Sequence, residues 1–236
     1  MSKKLSEMSL EELWQLFPII LTEHRADWKT WYAEEAERLK HIFPAGQTVR
    51  ISHIGSTAIA GIRAKPIIDI LVEVAEDCDF SFFKECLTQT GYLCMSESPR
   101  RLSFNKGYTE NGFAERVFHL HLRRAGDHDE LYFRDYLNAN PKVAREYEAL
   151  KLGLWKQYEH DRDGYTGAKS AFILKYTGIA KAEHEVSRLR QRSASLPSAA
   201  KEPGTEGGTE PHRAAHSRHS EAGQNKVPPP HTPAPP

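Results

Sequence analysis

The sequence predicts an α/β (α+β) domain: a small mixed β-sheet flanked by helices, followed by a helical C-terminal portion. Three observations carry that prediction. Ile67, Ile68, Ile70, Leu71, Val72 and Val74 form a nearly continuous apolar run, broken only by Asp69 and Glu73, as in a strand covered on both faces. Residues 115–123 alternate cleanly, with Val117, His119, His121 and Arg123 on one face and Phe118, Leu120 and Leu122 on the other. From Asp129 onward the apolar residues recur at helical spacing instead.

The elements follow in order. Ser9 and Glu12 make a capping box ahead of Leu10, Leu13, Trp14 and Phe17, which predicts a short amphipathic helix. A second helix is expected over 26–42, with Trp28, Trp31, Tyr32 and Leu39 inward and Glu34, Glu35, Glu37, Arg38 and Lys40 outward. Pro44 and Gly46 end it. Residues 47–54 alternate like a strand. Residues 55–65 read as a turn with a short helical segment, which Pro66 stops before the strand at 67–74. Asp79 caps a helix over 80–90, and Gly91 terminates it. A short strand is expected over 92–95, then strands over 101–108 and 115–123 joined by a turn within 107–112. A helix over 131–138 breaks near Asn140, and Pro141 suits the first turn of the next, which runs to 160. The last helix, 166–190, buries Ala168, Phe172, Ile173, Tyr176 and Ile179.

This divides the chain into an N-terminal helical extension (1–25), a main domain (26–192) and a tail (193–236). The tail holds nine of the 14 prolines and no aromatic residue, and its four Lys/Arg are matched by four Glu. It lacks the apolar surface to offset ordering entropy, so a disordered Pro-rich tail is expected.

The whole chain balances 32 Lys and Arg against 32 Asp and Glu, so no global field favours nucleic acid, and any anion site must be local. Cys78, Cys86 and Cys94 are odd in number and lack metal-binding spacing, which fits a reducing, cytoplasmic setting. The charged segment 1–12 has no long apolar core, so no signal peptide is expected. No apolar run approaches the ~18 residues of a membrane span.

Reactive side chains concentrate between the first two strands. Gly55 and Ser56 suit a backbone that approaches a phosphate closely. Lys65 supplies a compact positive charge. Asp69 and Glu73 are candidate ligands for a hard cation such as Mg²⁺. An ionised Asp69 within an apolar run is costly unless it is paired or metal-bound, which singles it out. Its partner is then a metal ion, Lys65 or Arg123.

A Gly-Ser turn followed by a carboxylate on the next strand resembles the nucleotidyltransferase superfamily. The longer set His53, Ile54, Gly55, Ser56 and Thr57, then 65–70 with Lys65, Pro66 and Asp69, then His119, Leu120 and His121, then 133–137 with Arg134, and Pro141, Tyr147, Leu150 and Lys151, resembles the GrpB family over 26–182. The resemblance implies a nucleotidyltransferase-like fold. It implies a nucleoside triphosphate substrate and a divalent metal, Mg²⁺ or Mn²⁺, with Zn²⁺ also compatible with imidazole ligands. Carried over position by position, Asp69, His119 and His121 become the catalytic and metal-binding set. His53, Gly55, Ser56, Thr57, Lys65 and Arg134 become the phosphate-binding set, with Lys151 and Lys169 as further basic candidates.

Two places depart from that pattern, and at one of them His119 and His121 stand where the superfamily has its third carboxylate. The superfamily places a second carboxylate two residues after the first, and Leu71 stands there. Glu73 shares the parity of Asp69, yet its Cα would lie about 13 Å away along a straight strand. The expectation is therefore a metal-dependent transferase of a nucleotidyl group to an unidentified acceptor, with the site completed by His119 and His121. The alternatives are a non-catalytic nucleotide- or phosphate-binding module and a phosphohydrolase using a histidine-bound metal.

Overall fold

A computed structural model describes residues 3–44 and 46–194. Its centre is one five-stranded sheet built from β1 (Thr48–Ile54), β2 (Ile67–Val74), β3 (Leu93–Ser98), β4 (Arg101–Thr109) and β5 (Gly112–Arg124). The spatial order is β1-β2-β5-β4-β3. β2 and β5 run parallel and every other neighbouring pair is antiparallel, so the expected mixed sheet is present.

Strand parity assigns the two faces. Ile68, Ile70, Val72 and Val74 of β2 join Leu102 and Phe104 of β4 and Phe118, Leu120 and Leu122 of β5 on one face. That face packs against Trp28, Trp31 and Leu39 of α2 (Asp27–Ile42) and Phe83 and Leu87 of α3 (Phe80–Gln89). Trp28 is fully buried, and a side chain of that kind contributes about 2–3 kcal/mol through burial alone. The opposite face carries Asp69, His119 and His121 and looks toward the helical half: α4 (Asp129–Ala139), α5 (Pro141–Trp155) and α6 (Arg162–Ala194). A second core, including Ile59, Ile62, Phe133, Leu137, Tyr147 and Tyr176, holds those helices to the loop that follows β1.

The caps explain where helices begin. α1 (Leu10–Leu16) starts on the expected box, with Glu12 N–H donating to Ser9 Oγ at 3.2 Å and Ser9 N–H donating to Glu12 Oε2 at 2.6 Å. Asp79 accepts from Ser81 N–H at 2.8 Å at the start of α3. α6 begins four residues before the expected position. Asp161 caps it by accepting from Gly164 N–H at 2.8 Å, so the glycine lies inside the first turn rather than before it. Glu35 differs from its expected outward place. It is only 4% exposed, and accepts from Tyr92 Oη at 3.0 Å and Lys106 Nζ at 2.8 Å. A buried carboxylate needs such partners, and helical periodicity does not reveal them.

The expected tail lies outside the described residues, apart from its first two positions, which continue α6. Among the described residues no helix is long and apolar enough to cross a membrane.

Candidate functional site

Register brings the predicted site residues into a row across the sheet. Ile54 of β1 opposes Asp69 of β2, Asp69 neighbours His119 of β5, and His119 opposes Asn105 of β4. His121 follows one row below, beside Leu71 and Ser103. A cavity of 1240 Å³ opens over this row.

Gly55 sets the upper edge of the row. Its φ of 69° and ψ of −171° lie in a region essentially reserved for glycine. A Cβ there would stand 2.9 Å from the Asp69 Cβ and 2.7 Å from its carboxyl carbon. The turn is thus pressed onto the carboxylate, and only glycine permits it. Ser56 follows at the start of a short 3₁₀ turn. Burial pushes the Tyr147 phenol up to about 12, with the Ser56 side chain acting in the opposite direction.

His53, Thr57 and Arg134 hold the turn from behind. The Thr57 hydroxyl donates to the Ile67 carbonyl at 3.2 Å, so the His53 Nε2–H is the donor to Thr57 Oγ1 at 2.9 Å. Tyr32 stacks on the His53 ring at 4.7 Å. Burial pulls the His53 imidazole down to about 4, with Arg134 acting in the same direction and Asp69 opposing. Arg134 donates from Nη1 to the His53 carbonyl at 2.7 Å and from Nε to Asp135 at 2.7 Å. The structure therefore engages Arg134 on the β1 backbone. Of the predicted phosphate-binding set, Gly55, Ser56, Thr57 and Lys65 line the cavity, whereas His53 and Arg134 do not.

At the centre, His119 Nδ1 faces Asp69 Oδ1 at 3.3 Å. The Asp69 carboxylate favours the ring proton on Nδ1, so Nε2 is the acceptor for the Tyr108 hydroxyl at 2.8 Å, and Arg162 Nη2 donates to the same hydroxyl at 2.7 Å. This fixes a continuous chain: Asp69, His119, Tyr108, Arg162. Burial raises Asp69, but the His119 hydrogen bond and the neighbouring positive charges outweigh it and hold the carboxyl below its ordinary range. Burial raises the Tyr108 phenol, with Arg162 working against it. His121 is pulled by burial down to about 4. Its Nδ1 is buried without a partner among the described residues, as is the Tyr165 hydroxyl.

Sequence reasoning missed Tyr108, Arg162 and Tyr165. Tyr108 has the wrong parity for this face, since Phe104 belongs to the α2 side and Lys106 reaches Glu35 on that side. A register shift between Lys106 and Tyr108, at Gly107 with φ 90°, turns Tyr108 across to His119. Arg162, Tyr165 and Lys169 stand at i, i+3 and i+7 of α6, a face that was legible in the sequence once the helix start is known.

The lysines give the cavity its charge. Lys169 lies over the Tyr165 ring at 4.1 Å and Lys65 over the same ring at 5.7 Å. Burial pulls Lys65 down to about 7, with Arg162 and Lys169 adding repulsion and Asp69 opposing. Burial likewise lowers Lys169 to about 8. Among the described residues, salt bridges are formed by neither lysine nor by Arg162. Lys151 differs, because its ammonium donates to the Arg63 carbonyl.

The residues do not fit the expected metal. Among the described residues no group of three His, Cys, Asp or Glu is arranged to hold an ion. Asp69 and His119 face each other directly, and Leu71, fully buried against Ile54 and Leu131, takes the place of the second carboxylate. Glu73, once a candidate ligand, is 2% exposed and engaged by Arg50, by His128 Nδ1 at 2.7 Å and by Gly126 N–H at 3.1 Å. It serves as an anchor at the far end of β2.

Comparison with known proteins agrees with the sequence motifs. The family described as GrpB protein matches residues 18–178. Glutamate-rich protein GrpB of Alkalihalophilus pseudofirmus is 38% identical over 162 residues, covering 66% of this chain and 91% of that protein. UPF0157 protein YqkA of Bacillus subtilis is 33% identical over 176 residues, covering 72% of this chain and 50% of that protein. The crystal structure of conserved protein GrpB from Enterococcus faecalis superposes with a TM-score of 0.61 at 32% identity, over 70% of this chain and 99% of that one. A weaker likeness, with a TM-score of 0.41 and 12% identity over 61% of this chain and 44% of the other, is to the Cid1 poly(U) polymerase bound to MgGTP, and it carries no argument about activity. The matched residues include the Gly55 turn, Asp69, both histidines and the face of α6 that bears Arg162 and Lys169, and on this evidence the chain belongs to the GrpB family.

Proposed function

We propose that this chain binds a nucleoside triphosphate in the cavity above Asp69 and His119 and transfers its nucleotidyl group. One observation carries the reading: Lys65, Lys169 and Arg162 converge on one cavity wall without ion-pair partners among the described residues. Cations gathered in a partly dry site repel one another, and a polyphosphate relieves that repulsion. The Gly55–Ser56 turn borders the same wall. Farther along, Leu13, Trp14 and Phe17 supply an apolar, partly aromatic surface suited to the face of a base. The cavity, at 1240 Å³, is larger than a lone phosphate requires. Transfer, as opposed to binding alone, rests on the likeness of the Gly-Ser turn and Asp69 to the nucleotidyltransferase pattern.

Isothermal titration with ATP, GTP, CTP and UTP in magnesium-containing buffer tests the reading. Lys65→Ala and Lys169→Ala should each weaken the best ligand about 10- to 100-fold, the worth of one charge-assisted contact. Protonation adds a second readout. Both lysines sit below the ordinary value of 10.5 in the free protein, and a bound phosphate raises them again. Binding therefore takes up protons, and affinity falls as pH rises from about 7 to about 9. If no triphosphate binds, or if affinity is flat across that range, the reading fails. Leu71 in the second carboxylate position favours a second reading, a non-catalytic binding module. Binding without any release of pyrophosphate selects it.

A further inference from the structure

In the chain Asp69–His119–Tyr108–Arg162 only Arg162 takes part in triphosphate binding as described above, yet the whole chain has the form of an activated nucleophile. A hydroxyl rests on a base, the base is oriented by a carboxylate, and a cation stands at the hydroxyl. The distances are 2.8 Å from Tyr108 Oη to His119 Nε2, 3.3 Å from His119 Nδ1 to Asp69 Oδ1, and 2.7 Å from Arg162 Nη2 to Tyr108 Oη. Two features set this tyrosine apart from a structural one. The bulge at Gly107 turns it out of the α2-side core and onto the wall of the cavity that Lys65 and Lys169 share. Its ring is also clamped, with Phe17 at 4.7 Å and Phe113 at 5.3 Å, so the hydroxyl is presented with little freedom left to lose.

We propose that Tyr108 is the acceptor of the nucleotidyl group, so that the protein modifies its own tyrosine. This names the acceptor for the triphosphate-binding reading and rests on it. The step balances without a change of oxidation state. Tyr108 Oη attacks the α-phosphorus of the bound nucleoside triphosphate, and an Oη–P bond forms. The bond from the α-phosphorus to the oxygen bridging it to the β-phosphorus breaks, and pyrophosphate leaves with that electron pair. The phenolic proton passes to His119 Nε2, while the Nδ1–H of the resulting imidazolium stays directed at Asp69. The imidazolium then gives its proton to solvent. Arg162, already at the attacking oxygen, meets the negative charge that develops on the α-phosphoryl group. Lys65 and Lys169 hold the departing phosphates. His119 acts as a catalytic base because it touches the reacting oxygen, and Asp69 is a positioning residue that fixes the ring and its tautomer.

The test incubates the full chain with each of the four nucleoside triphosphates and magnesium, labelled in separate reactions at the α- or the γ-phosphate. Label retained on the protein is mapped by peptide mass spectrometry, and triphosphate affinity is measured alongside. The α-label should be retained on Tyr108, one per chain, with equimolar pyrophosphate released and the γ-label not retained. Tyr108→Phe should bind triphosphate but lose the label at least about 100-fold. His119→Gln should slow labelling about 10²-fold or more. Asp69→Asn should slow it by a similar factor at saturating triphosphate in a chain that still melts cooperatively, a loss in the bound complex rather than in folding or binding. Triphosphate that binds without labelling Tyr108, or label that maps to another residue or survives in Tyr108→Phe, overturns the proposal and leaves the binding reading standing. Failure of every triphosphate to bind overturns both.

Discussion

Gly55 shows how one residue couples stability to chemistry. Two separate costs attach to a side chain there: the backbone region, with φ 69° and ψ −171°, and the collision with Asp69. Gly46 serves as a comparison without a collision, because its φ is also positive, at 81°, yet nothing lies within 4 Å of the added Cβ. Gly46→Ala should therefore lose about 1 kcal/mol in denaturant unfolding. Gly55→Ala should lose at least about 2–3 kcal/mol, because the turn must also lift off the carboxylate. The excess over Gly46→Ala combines the glycine-only backbone region of Gly55 with the Asp69 contact. Equal losses in the two variants would mean that the turn does not press on Asp69 as described.

At the scale of elements, the site is a meeting of β2, β5, β4 and α6, and these differ in how far the sequence disclosed them. Asp69 stood out as a charge inside an apolar strand, and His119 and His121 stood out through clean alternation. Their adjacency then follows from a parallel β2–β5 pairing. Lys65 was legible as a charge in the loop before β2. Tyr108 was hidden because one extra residue at Gly107 reverses parity, and alternation counted along β4 points the side chain to the wrong face. Arg134 was misleading for the opposite reason: a basic residue in the right motif can as well satisfy a backbone carbonyl, here that of His53. The bulge itself is testable. A Cβ on Gly107 would stand 3.1 Å from the Val117 Cα and closer still to the Arg116 carbonyl oxygen. Gly107→Ala should destabilise the protein by about 2 kcal/mol. It should also raise amide hydrogen exchange in the outer half of the β4–β5 hairpin, around 107–115, while 101–105 stays protected. Unchanged exchange in the outer half would show that the bulge can form without glycine.

The whole molecule carries these perturbed groups as a pH-dependent stability, and their signs agree. His53 and His121 sit near 4 in the folded chain, against 6.5 for an ordinary imidazole. Between those values the unfolded state binds more protons, so folding stability falls as pH drops from about 6.5 toward 4. Asp69 and Glu73, both held below their ordinary range, extend the loss to lower pH. Lys65, Lys151 and Lys169 act in the same sense on the alkaline side. They sit near 7, 7 and 8 against 10.5, so the unfolded state again binds more protons and stability rises with pH through that window. Only near 10 do the buried phenols of Tyr92, Tyr108 and Tyr147, raised by burial, reverse the sign. Many proteins are most stable between about pH 5 and 8. The ligand-free chain should instead show a Tm that climbs by several degrees from about pH 6 to about pH 9. A bound triphosphate should flatten that climb, since it stabilises most where the lysines are protonated and returns their pKa values toward normal. Thermal melts across this range, with and without ATP, check both slopes. A Tm that peaks near pH 6 in the free protein would mean that the lysines are not buried together as the cavity places them.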